Sequence, residues 1–481
     1  MTADGGSKGV MEKRKIHRLC WLGLFLATLA GMGCAHYPTN HLLTQVSPEE
    51  GYRLKNPVGC DRSDELLLVL TFSGGGTRAA ALAYGVLEQL AQTEITLGGR
   101  KRTLLDEVDA ISGVSGGSFT AAYYGLFGWK IFEDFETRFL KKNVQKDLLL
   151  EAIDLRNWFR LSSSKFGRSD LAAEYYDKNI FEGKTFGDIL ARGGPLILIN
   201  ATDLVLGSHF TFTQDMFDLI CSDVARFPLS RAVAASSAVP GLLTPITLYN
   251  YAGTCNYEPP DWIKKAVEEP GASRRRTQLA QNFYTYLDPQ KRPYIHLVDG
   301  GPSDNLGLRG AIDRMNPMGD IWPSLQFMRW ENTRKVVFIL VNAEKEADAG
   351  SDQLESTLTS GQVLKHITNI PITRFNFETI ELFRENARKW IEDIRSHRCE
   401  TGKPMKQEGA AAGASDPCAD IDFYLVEVDF DAFPDKGERA YFKDLPTSFH
   451  LSFEAVDLLR AAGRRVLIHS PEFQRLLRDL K

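Results

Sequence analysis

Leu105-Asp106-Glu107-Val108-Asp109-Ala110-Ile111-Ser112-Gly113-Val114-Ser115-Gly116-Gly117-Ser118-Phe119-Thr120-Ala121-Ala122 passes from an apolar stretch, through a serine set between glycines, into residues that favour a helix. Leu105 to Ile111 predicts a strand and Ser118 to Leu126 a helix. Gly113-Val114-Ser115-Gly116-Gly117 between them has the spacing of a nucleophile elbow. Such an elbow is a sharp strand-to-helix turn that lifts the serine hydroxyl clear of its neighbours, and Gly113 and Gly117 relieve the crowding it creates. Alone, the pentapeptide is a weak signal in a chain with 40 glycines.

The surrounding pattern repeats strand, glycine turn, helix. Leu66 to Phe72 is a near-continuous apolar run, as expected of a strand buried on both faces of a parallel sheet. Gly74-Gly75-Gly76 follows, and then a helical stretch from Arg78 to Gln92. Further buried strands are predicted at Pro195 to Ala201, Tyr294 to Val298, Val336 to Val341 and Phe423 to Val428. Strands alternating with helices predict an α/β fold with a mostly parallel central sheet. Two segments interrupt the core. Residues 127–192, with Trp129, Phe132, Phe135, Phe139, Trp158 and Phe159, read as helices over the mouth of the sheet. Residues 250–292 read as a surface insertion whose Arg274-Arg275-Arg276 run is a solvated face rather than a phosphate site. The expected organisation is a tether over 34–64, one catalytic core over 65–345, and a C-terminal helical extension with one further strand over 346–481.

With 481 residues, 43% of them hydrophobic and 25% charged, the chain can bury a large core. Its net charge of −5 argues against nucleic acid as a partner. Lys13, Arg14, Lys15 and Arg18 form a basic region ahead of an apolar run from Leu19 to Gly33. That run is short of the about 20 residues a transmembrane helix needs, and fits a signal peptide over residues 1–33. It ends at Met32-Gly33-Cys34, which resembles the processing box of bacterial lipoproteins, although Gly31 stands where that box usually has leucine. The expectation is export to the bacterial cell envelope with Cys34 lipidated; an uncleaved anchor and ordinary secretion remain alternatives. Removing residues 1–33 makes the remainder more acidic, so any membrane affinity should come from the anchor and local apolar surface. Cys60, Cys221, Cys255, Cys399 and Cys418 are then an odd set, with Cys399–Cys418 the preferred disulfide around a Gly/Ala/Ser/Pro-rich loop. No cysteines or histidines fall at zinc-ligand spacing, so no metal is expected.

Three glycine turns follow predicted strands, and open α/β sheets bind ligands beyond the carboxyl ends of their strands. Gly74-Gly75-Gly76 offers consecutive backbone N–H groups suited to a developing oxyanion. A phosphate loop is the weaker reading, since the Gly-Lys-Ser/Thr ending is missing. Asp299-Gly300-Gly301, after Ile295-His296-Leu297-Val298, sets a carboxylate at a strand end, where it could serve as general base. These blocks, with Ala234-Ala235-Ser236-Ser237-Ala238-Val239-Pro240-Gly241, resemble the patatin-like phospholipase family over roughly residues 65–310. The resemblance implies a three-layer α/β/α fold with helical insertions, no cofactor, and a phospholipid or other lipid ester as substrate. It also implies a Ser–Asp dyad, with Ser115 the nucleophile, Asp299 its base and Gly74, Gly75 and Gly76 the oxyanion hole. Arg78 stands at the family's basic position, read as orienting the glycine turn, with Gly113, Gly117, Gly300 and Gly301 in supporting places. Ala79 departs from the family, which often has another glycine there. The rival is a Ser–His–Asp triad using His450 or His469, neither of which has a glycine-rich strand-end context. Phospholipase A or lysophospholipase hydrolysis is the leading expectation, with acyl transfer or non-catalytic lipid binding as alternatives. An aspartate is a poor base for an alcohol unless its site is dry, and the aromatic-rich 127–192 insertion is expected to exclude water.

Overall fold

The computed structural model describes residues 35–53, 62–269, 273–315, 322, 325–326, 330–345, 349–353, 355–400 and 421–481. The signal peptide, Cys34, Cys60 and Cys418 lie outside the described residues. Among the described residues ten strands form: β1 Leu66–Phe72, β2 Glu94–Leu97, β3 Arg100–Thr103, β4 Val108–Val114, β5 Leu196–Asp203, β6 His209–Thr211, β7 Ile246–Tyr249, β8 Tyr294–Asp299, β9 Lys335–Asn342 and β10 Asp422–Asp429. The helices that bear on the site are α1 Thr77–Gln92, α2 Gly116–Phe127, α3 Val144–Ile153, α4 Leu155–Leu161, α5 Arg168–Tyr176, α6 Leu229–Ser236, α7 Ser360–Glu400, α8 Phe453–His469 and α9 Pro471–Asp479.

Eight strands build one sheet in the order β10-β9-β1-β4-β5-β8-β7, with β6 added on β5. From β10 to β5 every pairing is parallel. Beyond β5 the direction reverses, since β8 and β6 run antiparallel to β5 and β7 antiparallel to β8. Both β1 and β4 are buried at every residue, as central strands covered on both faces must be. Successive residues of β10 reveal the two covering layers, because side chains alternate across a strand. Phe423 packs against Phe383 of α7, whereas Tyr424 donates its hydroxyl to Asp479 of α9 on the opposite face (2.7 Å). The fold is therefore three-layer α/β/α on a mostly parallel sheet.

The elbow strand starts later than its apolar residues suggest. Leu104–Glu107 forms a 3-10 turn and the strand is Val108–Val114. Thr103 and Asp106 cap that turn reciprocally, and Glu107 is buried in an ion pair with Arg102, so this apolar stretch is held by local polar bonds instead of a ladder. Residues 35–53, read as part of a tether, lie against the core. Asn40 bonds both the N–H (2.7 Å) and the carbonyl (3.0 Å) of Tyr249 on edge strand β7. Fully buried Tyr52 bonds the backbone of Ile197 in β5, and Arg53 pairs with Asp215 and Asp218. The C-terminal segment is integral too: β10 completes the sheet and α8 lies across α1. Gly85 and Gly463 permit that crossing, since a Cβ on either would stand 2.2 Å and 2.4 Å from the carbonyls of Arg460 and Leu82. Arg460 and Arg464 then close on Glu88.

A disulfide joins Cys221 to Cys255 beside the antiparallel flank, a pairing the spacing of the cysteines did not suggest. Cys399 is disulfide-bonded, and Cys418 lies outside the described residues. Among the described residues no helix is long and apolar enough to cross a membrane, and no cluster of three metal-ligating side chains occurs.

Candidate active site

Ser115 caps α2 with φ 48°, in the left-handed region that a side chain adopts only when its surroundings demand it. The demand comes from backbone contact on both sides. A Cβ on Gly116 would lie 2.0 Å from the carbonyl oxygen of Gly76 and 2.6 Å from its nitrogen. One on Gly117 would lie 2.6 Å from the carbonyl oxygen of Phe72. The elbow and the glycine turn thus touch through bare backbone, which makes Gly116 as necessary as Gly113 and Gly117. The doubled glycine after Ser115 was the available signal for it.

The Ser115 hydroxyl donates to Oδ2 of Asp299 at 2.7 Å. Both side chains are buried. Asp299 ends a strand running opposite to the one that carries Ser115: β8 enters from beyond the carboxyl end of β5, where Leu297 pairs with Asp203, and stops level with Ala201. Val114 pairs with Asn200 of β5, and Ala201, the next residue, pairs with Asp299 of antiparallel β8. Gly301 N–H donates to Asp299 Oδ1 at 2.8 Å. Burial pushes the Asp299 carboxyl up to about 6, against the opposing bonds from Gly301 and Ser115.

The Ala234–Gly241 segment supplies the frame. Ser236, at the end of α6, accepts the Ser115 N–H with its hydroxyl oxygen (2.9 Å) and donates to the carbonyl of Asn200 (2.6 Å). Its own carbonyl accepts from Gly300 N–H, while that of Ala238 accepts from Asp299 N–H. One short segment therefore holds the serine and the aspartate to the same scaffold. A Cβ on Gly300 would meet the Asn200 carbonyl at 2.5 Å, so the turn after Asp299 packs directly on β5.

The glycine turn divides its roles. Gly74 N–H donates to the carbonyl of Asn305 (3.1 Å), so it does not face a developing charge. Gly75 and Gly76 follow it, with Gly76 lining the cavity of Ser115. Arg78 is buried and points away from the serine. Its guanidinium donates to the carbonyls of Ala343 and Leu445 and to the hydroxyl of Thr447, and burial lowers it to about 10. It ties the start of α1 to β9 and to the C-terminal segment, and Ser448 adds its carbonyl to Thr77 N–H (2.9 Å).

A cavity of about 420 Å³ opens on Ser115. Leu148, Leu149 and Ala152 of α3, Leu171 of α5, Leu242, Leu243 and Phe449 form much of its wall. The 127–192 insertion does cover the site, but with aliphatic side chains. Its Phe135 and Phe139 do not line the cavity but are buried in an aromatic stack that reaches the wall through Phe449, and Trp129 and Trp158 face outward. Among the described residues no histidine lines this cavity. His450 is exposed at the surface and His469 bonds the Arg465 carbonyl on its own helix. His209 stands 3.4 Å from Asp313 and His296 bonds Thr247, both away from the serine.

The sequence model of the family described as patatin-like phospholipase matches residues 70–312, half of the chain. Comparison with curated protein sequences gives no match. Among solved structures 22 chains are similar. Human GIVD cytosolic phospholipase A2 in complex with methyl gamma-linolenyl fluorophosphonate shares 15% identity at a TM-score of 0.39, over 93% of this chain and 66% of that one. VipD from Legionella pneumophila shares 12% at 0.27, over 87% and 72%. A chain of the SpcU–ExoU complex of the Pseudomonas aeruginosa type III secretion system shares 17% at 0.20, over 43% and 46%. The chain spans 49% to 66% of the length of the human chains it matches. With the family match running over the glycine turn, the serine elbow, the Ala234–Gly241 segment and the Asp299 turn, the chain belongs to the patatin-like phospholipase family.

Proposed function

We propose that this protein is a lipid acyl hydrolase that cleaves carboxylic esters of phospholipids or lysophospholipids through Ser115 and Asp299. The observation that carries the reading is the 2.7 Å bond from the Ser115 hydroxyl to the Asp299 carboxylate at the base of an apolar cavity. A carboxyl near 6 is ionised at neutral pH yet more basic than an ordinary aspartate, which suits it to take the serine proton. Ser115 Oγ then attacks the ester carbonyl carbon. The oxyanion develops towards the backbone N–H groups of Gly75 and Gly76 and the N-terminus of α2 at Gly116, donors fixed before the reaction begins. The leaving alcohol takes the proton from Asp299. Water, deprotonated by the same carboxylate, attacks the acyl-enzyme; Ser115 Oγ leaves, recovers the proton from Asp299, and the fatty acid is freed. The aliphatic walls of the cavity accept the acyl chain and keep bulk water from the carboxylate.

Export with a lipidated Cys34 belongs to the same proposal. The basic and apolar N-terminal pattern supports it, and so does the Cys221–Cys255 disulfide, a bond that persists in oxidising compartments. Mass spectrometry of the mature N-terminus tests it: an acylated Cys34 is expected, and an unmodified residue 1 or a plain cleaved end would overturn it. The hydrolase reading is tested with a panel of radiolabelled phospholipids and lysophospholipids and a serine-directed fluorophosphonate. Fatty-acid release and labelling should both vanish in Ser115→Ala. Release retained in that variant overturns the nucleophile. Acyl appearing on an added alcohol at the expense of free fatty acid would make it an acyltransferase instead. Lipid retention with neither turnover nor labelling would make it a binding protein.

A further inference from the structure

The mouth of the Ser115 cavity continues into an exposed apolar surface that, among the described residues, nothing else covers. On α3, Leu149 and Ile153 stand one turn apart and are 63% and 68% exposed. On α4, which follows after a single residue, Leu155 and Trp158 are 65% and 62% exposed. Leu242, at 70%, joins them at the mouth, since it lines the cavity together with Leu149. Arg168 fixes that loop to the start of α5 through the carbonyl of Gly241 (3.1 Å). Large apolar side chains grouped like this are unfavourable in water and mark a surface made to meet another apolar phase.

Charge and chain direction identify that phase. Between Lys141 and Arg168 stand seven Lys/Arg against three Asp/Glu, and of the seven Lys141 and Arg160 pair with Glu136, Asp457 and Glu174 from outside that stretch, in a chain whose net charge is −5. Lys146 and Lys165 are exposed and, among the described residues, without a carboxylate partner. A local basic rim around apolar side chains, on an acidic body, fits anionic lipid headgroups over an acyl layer. The N-terminal segment arrives on the same face. Ala35 accepts from the Ser163 hydroxyl (2.7 Å) and Tyr37 N–H donates to the Lys165 carbonyl (2.7 Å), both in the loop directly after α4. The residue that precedes Ala35 is Cys34.

We infer that α3, α4 and the Leu242 loop form a docking surface for an anionic lipid bilayer, which holds the mouth of the Ser115 cavity against the membrane. This surface gives the hydrolase reading its physical substrate, lipid in a bilayer rather than dispersed monomer, and rests on that reading only for its kinetic consequence. Lipid could then pass from the bilayer along Leu149 and Leu242 into the cavity without crossing water.

The test uses the full chain and vesicles of phosphatidylcholine with or without phosphatidylglycerol. Acyl chains brominated near the glycerol end should quench part of the tryptophan fluorescence, more strongly with phosphatidylglycerol present. Trp158→Phe should remove that quenched part. Ile153→Asp and Leu155→Asp should each lower hydrolysis of vesicle lipid by about tenfold or more, since each places a charge where an apolar side chain met the acyl layer. Turnover of a short-chain ester below its aggregation concentration should be unchanged, because neither residue lines the cavity. Quenching that survives Trp158→Phe, or is absent, overturns the proposal. So does vesicle hydrolysis that tolerates both aspartates. Conversion of a dimer to a monomer by Ile153→Asp, with vesicle hydrolysis intact, would make the face a contact between two copies and overturn it as well. If the wild-type protein cleaves neither substrate, the hydrolase reading fails, while the quenching experiment still judges the surface.

Discussion

The parallel part of the sheet and its antiparallel flank contribute to the site in different ways. β1 and β4 end side by side, so Gly74–Gly76 and Ser115 emerge together at their carboxyl edge, as the topology of parallel strands requires. Asp299 has no such claim on the site. It arrives on β8, which travels against β5, and it meets Ser115 only because Ala201 follows the partner of Val114 by one residue. The parallel part is held by continuous burial. The flank is held by particular bonds: Ser236 to Ser115 and Asn200, Asn40 to the edge of β7, and the Cys221–Cys255 disulfide. Ser115 and the Gly74–Gly76 turn thus belong to the part of the fold held by burial, and Asp299 to the part that depends on a few polar contacts.

The largest test removes one member from each side. Ser115→Ala should lower kcat/KM for a lipid ester by about 10⁴-fold or more. Asp299→Asn should cost about 10²- to 10⁴-fold, the usual worth of a general base. A far smaller loss in Asp299→Asn, coupled to a large one in His450→Ala, would transfer the base to the C-terminal segment and break the comparison. The flank's dependence on single bonds is measured next. Serine at both Cys221 and Cys255 should lower the unfolding free energy by about 2–4 kcal/mol in denaturant titration. Ser236→Ala leaves the buried Ser115 N–H and Asn200 carbonyl unbonded, at a cost of about 1–3 kcal/mol. It should also lower kcat more than KM changes, since it loosens the register of serine against aspartate without touching the cavity wall.

The pH dependence separates the two parts further. The Asp299 carboxyl titrates near 6 in the folded protein against an ordinary value of 3.8. Proton uptake therefore favours the folded state. That contribution is fully present below about pH 3.8 and is lost as pH rises through about 6. At neutral pH the ionised carboxylate costs of order 3 kcal/mol, so Asp299→Asn should be more stable than wild type at pH 7 and lose that advantage near pH 4, in paired thermal melts. Over the same range kcat/KM should rise with pH and level off above about 6. A profile that is flat between pH 5 and 7 would mean that Asp299 is not the proton acceptor.

Much of this arrangement was legible in the amino-acid sequence because it depends on local pattern. The apolar runs at β1, β5, β8, β9 and β10 were each located to within about two residues, because near-continuous apolar character over five to seven residues bounded by turn residues is a local signal. Leu105 misled because a strand and a capped helical turn can begin with the same apolar residues, and only the Thr103–Asp106 bonds distinguish them. Ser115, Asp299 and their glycines were readable because a sharp turn at close backbone contact admits few residue types. Ser236 carried a signal too, in the Ala234–Gly241 segment, but its task was invisible. A hydroxyl bonding two chains from elsewhere leaves no spacing rule. Thr447, Ser448 and Phe449 had none at all, and they reach the site only because α8 returns across α1. The family membership, the α/β layering and the identity of the serine and its carboxylate were determined by the sequence, since strand period, turn sterics and motif order are properties of neighbours along the chain. The direction of β8, the role of Ser236, the bond that occupies the Gly74 N–H and the apolar mouth beside Ser163 were decided by tertiary structure, because each requires segments far apart in sequence to be brought within a hydrogen bond or a side chain of one another.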